Sequence, residues 1–202
     1  MIPGVLKVNS DKHTWRVVYR ATWSLLFLLV FLLACRREPS WAHGQAHVSI
    51  PIESSDFSNG GAIPQPLTCD GAGLSPDLQW GAVPAGTKSV VLVMHDPDAL
   101  IDFTHWLAFN ISPGVQSVAE GASERSAMPP GSAEGKNDFD NSGYGGPCPP
   151  GNKTHHYVIQ VIALDTRLNL PTGASRKQLD SAITGHIVAE GQIAGTYRRG
   201  GR

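Results

Sequence analysis

No extended run of like charge occurs in this 202-residue chain, and its 16 Lys+Arg are nearly matched by 17 Asp+Glu. It therefore lacks the basic stripe that nucleic acid requires and the polybasic patch that draws a protein to anionic lipid. Long apolar stretches are missing too. The longest, Leu25 to Leu33 within "WSLLFLLVFLLAC", falls short of the ~20 apolar residues of a comfortable transmembrane helix. No period of roughly 20–50 residues repeats, which excludes a solenoid. Neither an HExxH pair nor a GxSxG elbow is present, so two familiar hydrolase signatures are absent. Cysteine is scarce as well, with only Cys35, Cys69 and Cys148. What the chain has in quantity is glycine (22) and proline (15), which predicts many turns and few long helices.

The short apolar run follows Arg16 and Arg20 and closes on Leu32-Leu33-Ala34-Cys35. A positive flank before a short apolar core describes an export signal. The closing four residues resemble the lipobox of bacterial lipoproteins, where the cysteine thiol is acylated before cleavage. Residues 1–35 are read as a signal peptide, with Cys35 as the lipidation site. An uncleaved membrane anchor is the alternative, with Trp23 extending the span. Either reading exports the rest of the chain into the bacterial envelope, the periplasm for a lipid-anchored protein. Residues 36–45 are polar, carry Pro39, Ser40 and Gly44, and read as a tether. Residues 46–202 are long enough for one domain with its own core. If Cys35 carries lipid, Cys69 and Cys148 are left either as a disulfide or as two separate buried thiols, and spacing does not decide between them.

Within that domain, "HVSIPI" alternates until Pro51 interrupts it, as suits an edge strand. Three short apolar runs with β-branched residues, "SVVLVMHD", "HWLAFNIS" and "HYVIQVIAL", predict buried strands. Between the last two lies Pro113 to Pro150, rich in glycine and too long for an idle loop in a compact domain. Near the C-terminus, Ser175 is a plausible N-cap, and Leu179, Ala182, Ile183 and Ile187 fall on one helical face. One helix over Arg176 to Glu190 is expected, or two short ones, because Gly185 and Gly191 weaken it. The sum is a mainly β (α+β) fold with Greek-key-like connections and peripheral helices.

Candidate chemistry clusters at the mouths of the predicted strands. "HDPD" places Asp96 and Asp98 on either side of a turn fixed by Pro97; a plain structural turn is the bland reading. His105 opens the next strand with Trp106 beside it, and a histidine there is often simply a hydrogen-bonded structural residue. "GYGGPCPPGNKTHHY", from Gly143 to Tyr157, combines glycines able to expose backbone N–H groups with prolines that hold the loop open. Strand alternation then puts His155 and Tyr157 on one face and His156 on the other.

Taken together, "DPDA", "THWLAFNIS", "KND" and "GYGGPCPPGNKTHHYVIQVIALD" resemble the phosphatidylethanolamine-binding protein family, in particular its bacterial, Raf-kinase-inhibitor-like branch. The similarity spans about Val48 to Arg198. It implies a β-sandwich with a large central sheet, a smaller one and flanking helices. It also implies a small pocket for an anionic group such as the phosphate of a phospholipid headgroup, lined by Asp96, His105, the Gly146-Pro147 backbone, His155 and Tyr157. Asp98 would order the adjacent loop. Two positions depart from the pattern: His156 stands where relatives often carry Arg, and Leu100 where they commonly carry Pro. No cofactor and no catalysis are expected, because no second carboxylate is convincingly placed as a base and the hydrolase signatures are absent.

His105, His155 and Tyr157 supply donors suited to phosphate, and Asp96 can orient an imidazole or receive an ammonium. A zinc hydrolase built on the histidines is the enzymatic alternative. Relatives that inhibit kinases or serine proteases suggest a second, in which the domain binds an envelope protein such as a protease.

Overall fold

Three apolar runs rich in β-branched residues become the long strands of the fold. In the computed structural model, which describes residues 48–200, the strands run in chain order β1 (Val48–Ser49), β2 (Ile52–Glu53), β3 (Leu78–Trp80), β4 (Ser89–Asp96), β5 (Phe103–Ile111), β6 (Ser117–Val118), β7 (Ala133–Glu134), β8 (His155–Leu164) and β9 (Ile187–Tyr197). The predicted signal peptide (1–35), the lipidation site Cys35 and the tether (36–45) lie outside the described residues. Among the described residues, no helix is long and apolar enough to cross a membrane.

The large sheet has the order β1-β9-β8-β4-β5-β7, and a small sheet has the order β2-β3-β6. After the β4–β5 pair the chain makes a long excursion and returns as β8 on the other side of β4, the Greek-key-like connectivity expected. β1 pairs with β9 in parallel at the sheet edge, and Pro51 directly follows this edge segment.

Why β4 reads as an unbroken apolar run is plain from its two neighbours. Val90, Leu92 and Met94 pack into one core layer with Leu78 and Trp80 of the small sheet. Val91 and Val93 face the opposite layer, where Leu179 and Ile183 of the one α-helix among the described residues, α1 (Arg176–Ile183), close the other side. The central sheet is therefore covered on both faces. Each such side chain contributes about 1.5–3 kcal/mol when fully buried.

The C-terminal section departs from the expected helix. α1 starts as predicted, with Ser175 and Gln178 forming a reciprocal capping box. It ends at Ile183, and Gly185, at φ +82°, turns the chain into β9, the longest strand of the sheet. Residues 187–190, expected in helix, are extended. Gly191, which weakens a helix, is required by the strand: a Cβ there would lie 1.8 Å from the Ile50 carbonyl oxygen. It permits the close approach of the chain leaving β1.

The segment 113–150 is ordered by its own bonds. Asn137, buried, donates to the Gly143 carbonyl and accepts from Phe139 N and Asn141 N. Beyond β7, Asp138 exchanges bonds with Thr104, and Gly145 N donates to the His105 carbonyl at 2.8 Å. Of the two cysteine states left open by the sequence, the structure has the disulfide: Cys69 and Cys148 are bonded, with Cα atoms 5.4 Å apart. The bond closes a separation of 79 residues and fixes the glycine- and proline-rich segment to the turn after Gln65–Leu67. Replacing both cysteines by serine should lower the unfolding free energy by about 2–4 kcal/mol in a denaturant titration. An unchanged midpoint would show that the cross-link adds nothing to the fold.

Candidate functional site

The carboxyl end of β4, the start of β5 and the start of β8 meet at a cavity of ≈ 760 Å³. Asp96, Asp98, His105, His155 and Tyr157 all line it, so five of the seven residues singled out as ligand-binding from the sequence come together.

Each is delivered by a local rule. Alternation along β8 turns His155 and Tyr157 inward and leaves His156 exposed. Asp96 closes β4 on the neighbouring strand, and His155 Nδ1 donates to Asp96 Oδ2 at 2.7 Å, with both side chains buried. The other Asp96 oxygen accepts from Asp98 N at 2.9 Å across Pro97, a local side-chain-to-backbone turn. Asp98 accepts from both the backbone N and Nδ1 of His156, at 2.8 and 2.7 Å. The His156 side-chain bond, more than any other contact, holds the Asp98 carboxyl below the usual carboxylate range. The turn after β4 is thus bolted to β8 at two successive residues.

His105 arrives by a less obvious route. Met94 pairs with Trp106, but the next residue of β4, His95, pairs with Thr104. One residue of β5, His105, is therefore extra, and such bulges re-aim side chains near functional sites. Strict alternation would set His105 and Trp106 on opposite faces. Here the His105 ring stands edge-on to Tyr157, with centroids 5.1 Å apart, and Trp106 lies in the core layer beneath. Trp106 Nε1 donates to Glu134 at 2.8 Å, so it is a core residue.

Protonation follows from these contacts. His105 Nδ1 donates to the Gly145 carbonyl at 2.6 Å, which fixes the tautomer. Burial, outweighing the Gly145 bond and the Asp96 charge, lowers its pKa from the ordinary 6.5. The neutral ring so favoured offers Nε2 as an acceptor, where a donor to the anion was expected. His155, with Nδ1 on Asp96, likewise keeps Nε2 for a ligand, and that nitrogen donates when the ring is charged. Tyr157 is fully buried, and its hydroxyl lies near Asp96 without reaching any partner in hydrogen-bond geometry. Burial first, then the Asp96 charge, push its pKa well above the usual phenol range.

Gly146 and Pro147 fall outside the cavity lining. Gly146 packs on the turn behind it, where a Cβ would sit 2.8 Å from the Leu67 carbonyl oxygen, and the Pro147 carbonyl accepts from Cys69 N. Their part is close packing; the wall itself is residues 148–153. Sequence reasoning missed Phe103, Phe139 and Lys153, all in the lining. Lys153 lies two residues before β8, in the segment that leads into it. Phe139 was not within reach of the sequence, since only the Asn137 turn carries it over the His105 ring, at 5.4 Å between centroids. Among the described residues, no group of three or more His, Cys, Asp or Glu side chains is placed to hold a metal ion.

The family model of phosphatidylethanolamine-binding proteins matches residues 53–198. The chain belongs to that family. A UPF0098 protein of Pyrococcus horikoshii is 42% identical over 160 residues, covering 77% of this chain and 80% of the relative. LppC of Mycobacterium tuberculosis, provisionally named a lipoprotein, is 37% identical over 150 residues, covering 73% of this chain and 72% of its own length. The crystal structure of YbcL from E. coli, described as a new member of the mammalian phosphatidylethanolamine-binding protein family, superposes with a TM-score of 0.71 at 30% identity, over 76% of this chain and all of YbcL. The β-sandwich expected from the sequence is the fold of this family.

Because the fold favours neutral His105, the unfolded chain takes up that proton first as pH falls, and stability drops below the ordinary value of 6.5. His105→Asn keeps a donor for the Gly145 carbonyl and removes the titration. Its denaturation midpoint should fall less than that of the wild type between about pH 7.5 and about pH 5.5. Parallel losses in both proteins would show that His105 does not carry this dependence.

Proposed function

We propose that this family member is an exported, lipid-anchored binding protein whose cavity takes a small phosphate-bearing ligand of the phosphoethanolamine type, without catalysing its turnover. The observation that carries the reading is the Tyr157 hydroxyl, buried without a partner in hydrogen-bond geometry, in a cavity whose two imidazoles already have their Nδ1 atoms taken. A buried polar group left unpaired costs about 1–3 kcal/mol, and a ligand oxygen is the missing partner. Lys153 in the lining and His155 Nε2, left free by the Asp96 bond, add polar groups that can meet the phosphate. Asp96 and the bare Nε2 of neutral His105 add acceptors for an ammonium. This mixed set suits a zwitterion better than a simple anion.

Export and anchoring rest on the signal-like residues 1–35, the lipobox-like Cys35 and a relative that is named a lipoprotein. The family's name supports the phospholipid-headgroup class.

Calorimetric titration of residues 36–202 with phosphoethanolamine tests the pocket. Saturable binding is expected, and it should be lost in the His105→Ala, His155→Ala double variant. No heat from the intact domain would sink the reading. Tyr157→Phe is the sharper probe: it should weaken phosphoethanolamine about ten-fold while leaving the denaturation midpoint unchanged or raised. A destabilised variant with unaltered affinity would assign the hydroxyl to the fold instead.

A further inference from the structure

Four large hydrophobic side chains are exposed among the described residues, and three of them, Leu100, Ile101 and Phe139, line the one cavity just described. Leu100 and Ile101 are the extreme cases, at 107% and 68% exposure. They form the tip of the turn between β4 and β5. Behind the tip, the turn is held on both sides: Asp96 and Asp98 tie it to His155 and His156, and Asp102 bonds His95. A fixed turn that presents two aliphatic side chains to water is costly unless something apolar receives them.

We infer that Leu100 and Ile101 are a lip that dips into a zwitterionic lipid surface while the cavity behind it receives the headgroup of a lipid in that surface. This rests on the anchored, headgroup-binding reading above. The cavity has the same polar order as a phospholipid. Its floor holds Asp96, His105, His155 and Tyr157, and its rim holds Leu100, Ile101 and Phe139. The charges near the rim do not add up to a basic patch: Asp98 and Asp102 face His156 and His95, and Lys153 is the one lysine of the lining. Anionic lipid is therefore not favoured over zwitterionic lipid, and insertion of the lip should depend little on salt.

The proposed anchor allows this geometry. Val48 pairs with Ala189, which lies opposite Ala163 near the far end of β8 from His155. That places the start of β1 about 25–30 Å from the cavity along the strand. The dozen residues between Cys35 and Val48 reach at most about 45 Å when extended, so the cavity can face the bilayer that holds the anchor. A protein partner would need a wider patch, about 800 Å² on each side, with aromatic or arginine anchors. Two aliphatic side chains at a turn tip do not supply it.

The test is flotation of residues 36–202, the compact folded unit together with its tether, with vesicles of phosphatidylethanolamine and phosphatidylcholine. The same protein is titrated with soluble phosphoethanolamine. The wild type should float, in low and high salt alike. Leu100→Ser with Ile101→Ser should lower vesicle binding about ten-fold or more, a much larger loss than any in the phosphoethanolamine titration, where the two side chains only rim the cavity. If the wild type binds phosphoethanolamine but not vesicles, the lip is overturned and a protein becomes the candidate occupant. Equal flotation of wild type and variant overturns it as well. If the double variant loses vesicles although neither protein binds phosphoethanolamine, the lip stands and the headgroup reading falls.

Discussion

The buried hydrogen bond between Asp96 and His155 is the contact on which the cavity depends. It joins the last residue of β4 to the first of β8, at the point where the central sheet would otherwise fray. A carboxylate this deep is tolerable only when its oxygens are engaged, and both are, one by His155 and one by Asp98 N. The Asp98 bond starts the turn that carries Leu100 and Ile101, and Asp98 continues the chain of contacts to His156. Losing either member of the first pair leaves the other buried and unmatched, which is the costly direction for a buried pair. The floor of the cavity and its rim therefore share one support.

The glycines of residues 143–146 and Pro147 act at one remove. They let that segment lie against its neighbours more closely than side chains would permit. A Cβ at Gly145 would reach to 2.6 Å from the Phe139 ring, and one at Gly146 to 2.8 Å from the Leu67 carbonyl. The disulfide then holds the segment in place. What the ligand would meet is the next stretch, residues 148–153, and a carbonyl at Gly145 that sets the His105 tautomer. The loop shapes the site by fixing its histidine more than by gripping an anion.

Much of this was readable from residue order. Three β-branched runs name the central strands, and alternation alone separates His155 and Tyr157 from His156. Two kinds of information were not local. Ile187 to Glu190 carry a helix-like pattern, yet they form β9 because Gly185 turns the chain and an edge strand waits to pair with them. Tertiary pairing overrode the local signal. Likewise, nothing in "THWLAF" announces that His105 is a bulged residue. That depends on the register between β4 and β5, which long-range contacts set. Phe139 reaches the cavity only through the Asn137 turn. Lys153 lies before β8 begins, so the alternation that selects His155 does not reach it.

Bulge and burial together give His105 a role that its residue type alone would not suggest. An exposed histidine at a cavity mouth would gain a proton readily and serve as an anion donor. His105 is turned under Phe139 and against Tyr157, and desolvation favours its neutral form. Its proton is committed to Gly145, so the face it presents is an acceptor. Set beside Asp96, it gives one side of the cavity an appetite for hydrogen-bond donors, while Tyr157 and Lys153 give the other an appetite for acceptors. On the proposed reading, inorganic phosphate satisfies one side and leaves the other unpaired, and ethanolamine does the reverse. A headgroup carrying both charges satisfies both sides at once, and leaving buried polar groups unpaired is the strongest form of discrimination available to a small site. The selectivity would thus come from the acceptor face of His105 as much as from the donors opposite it.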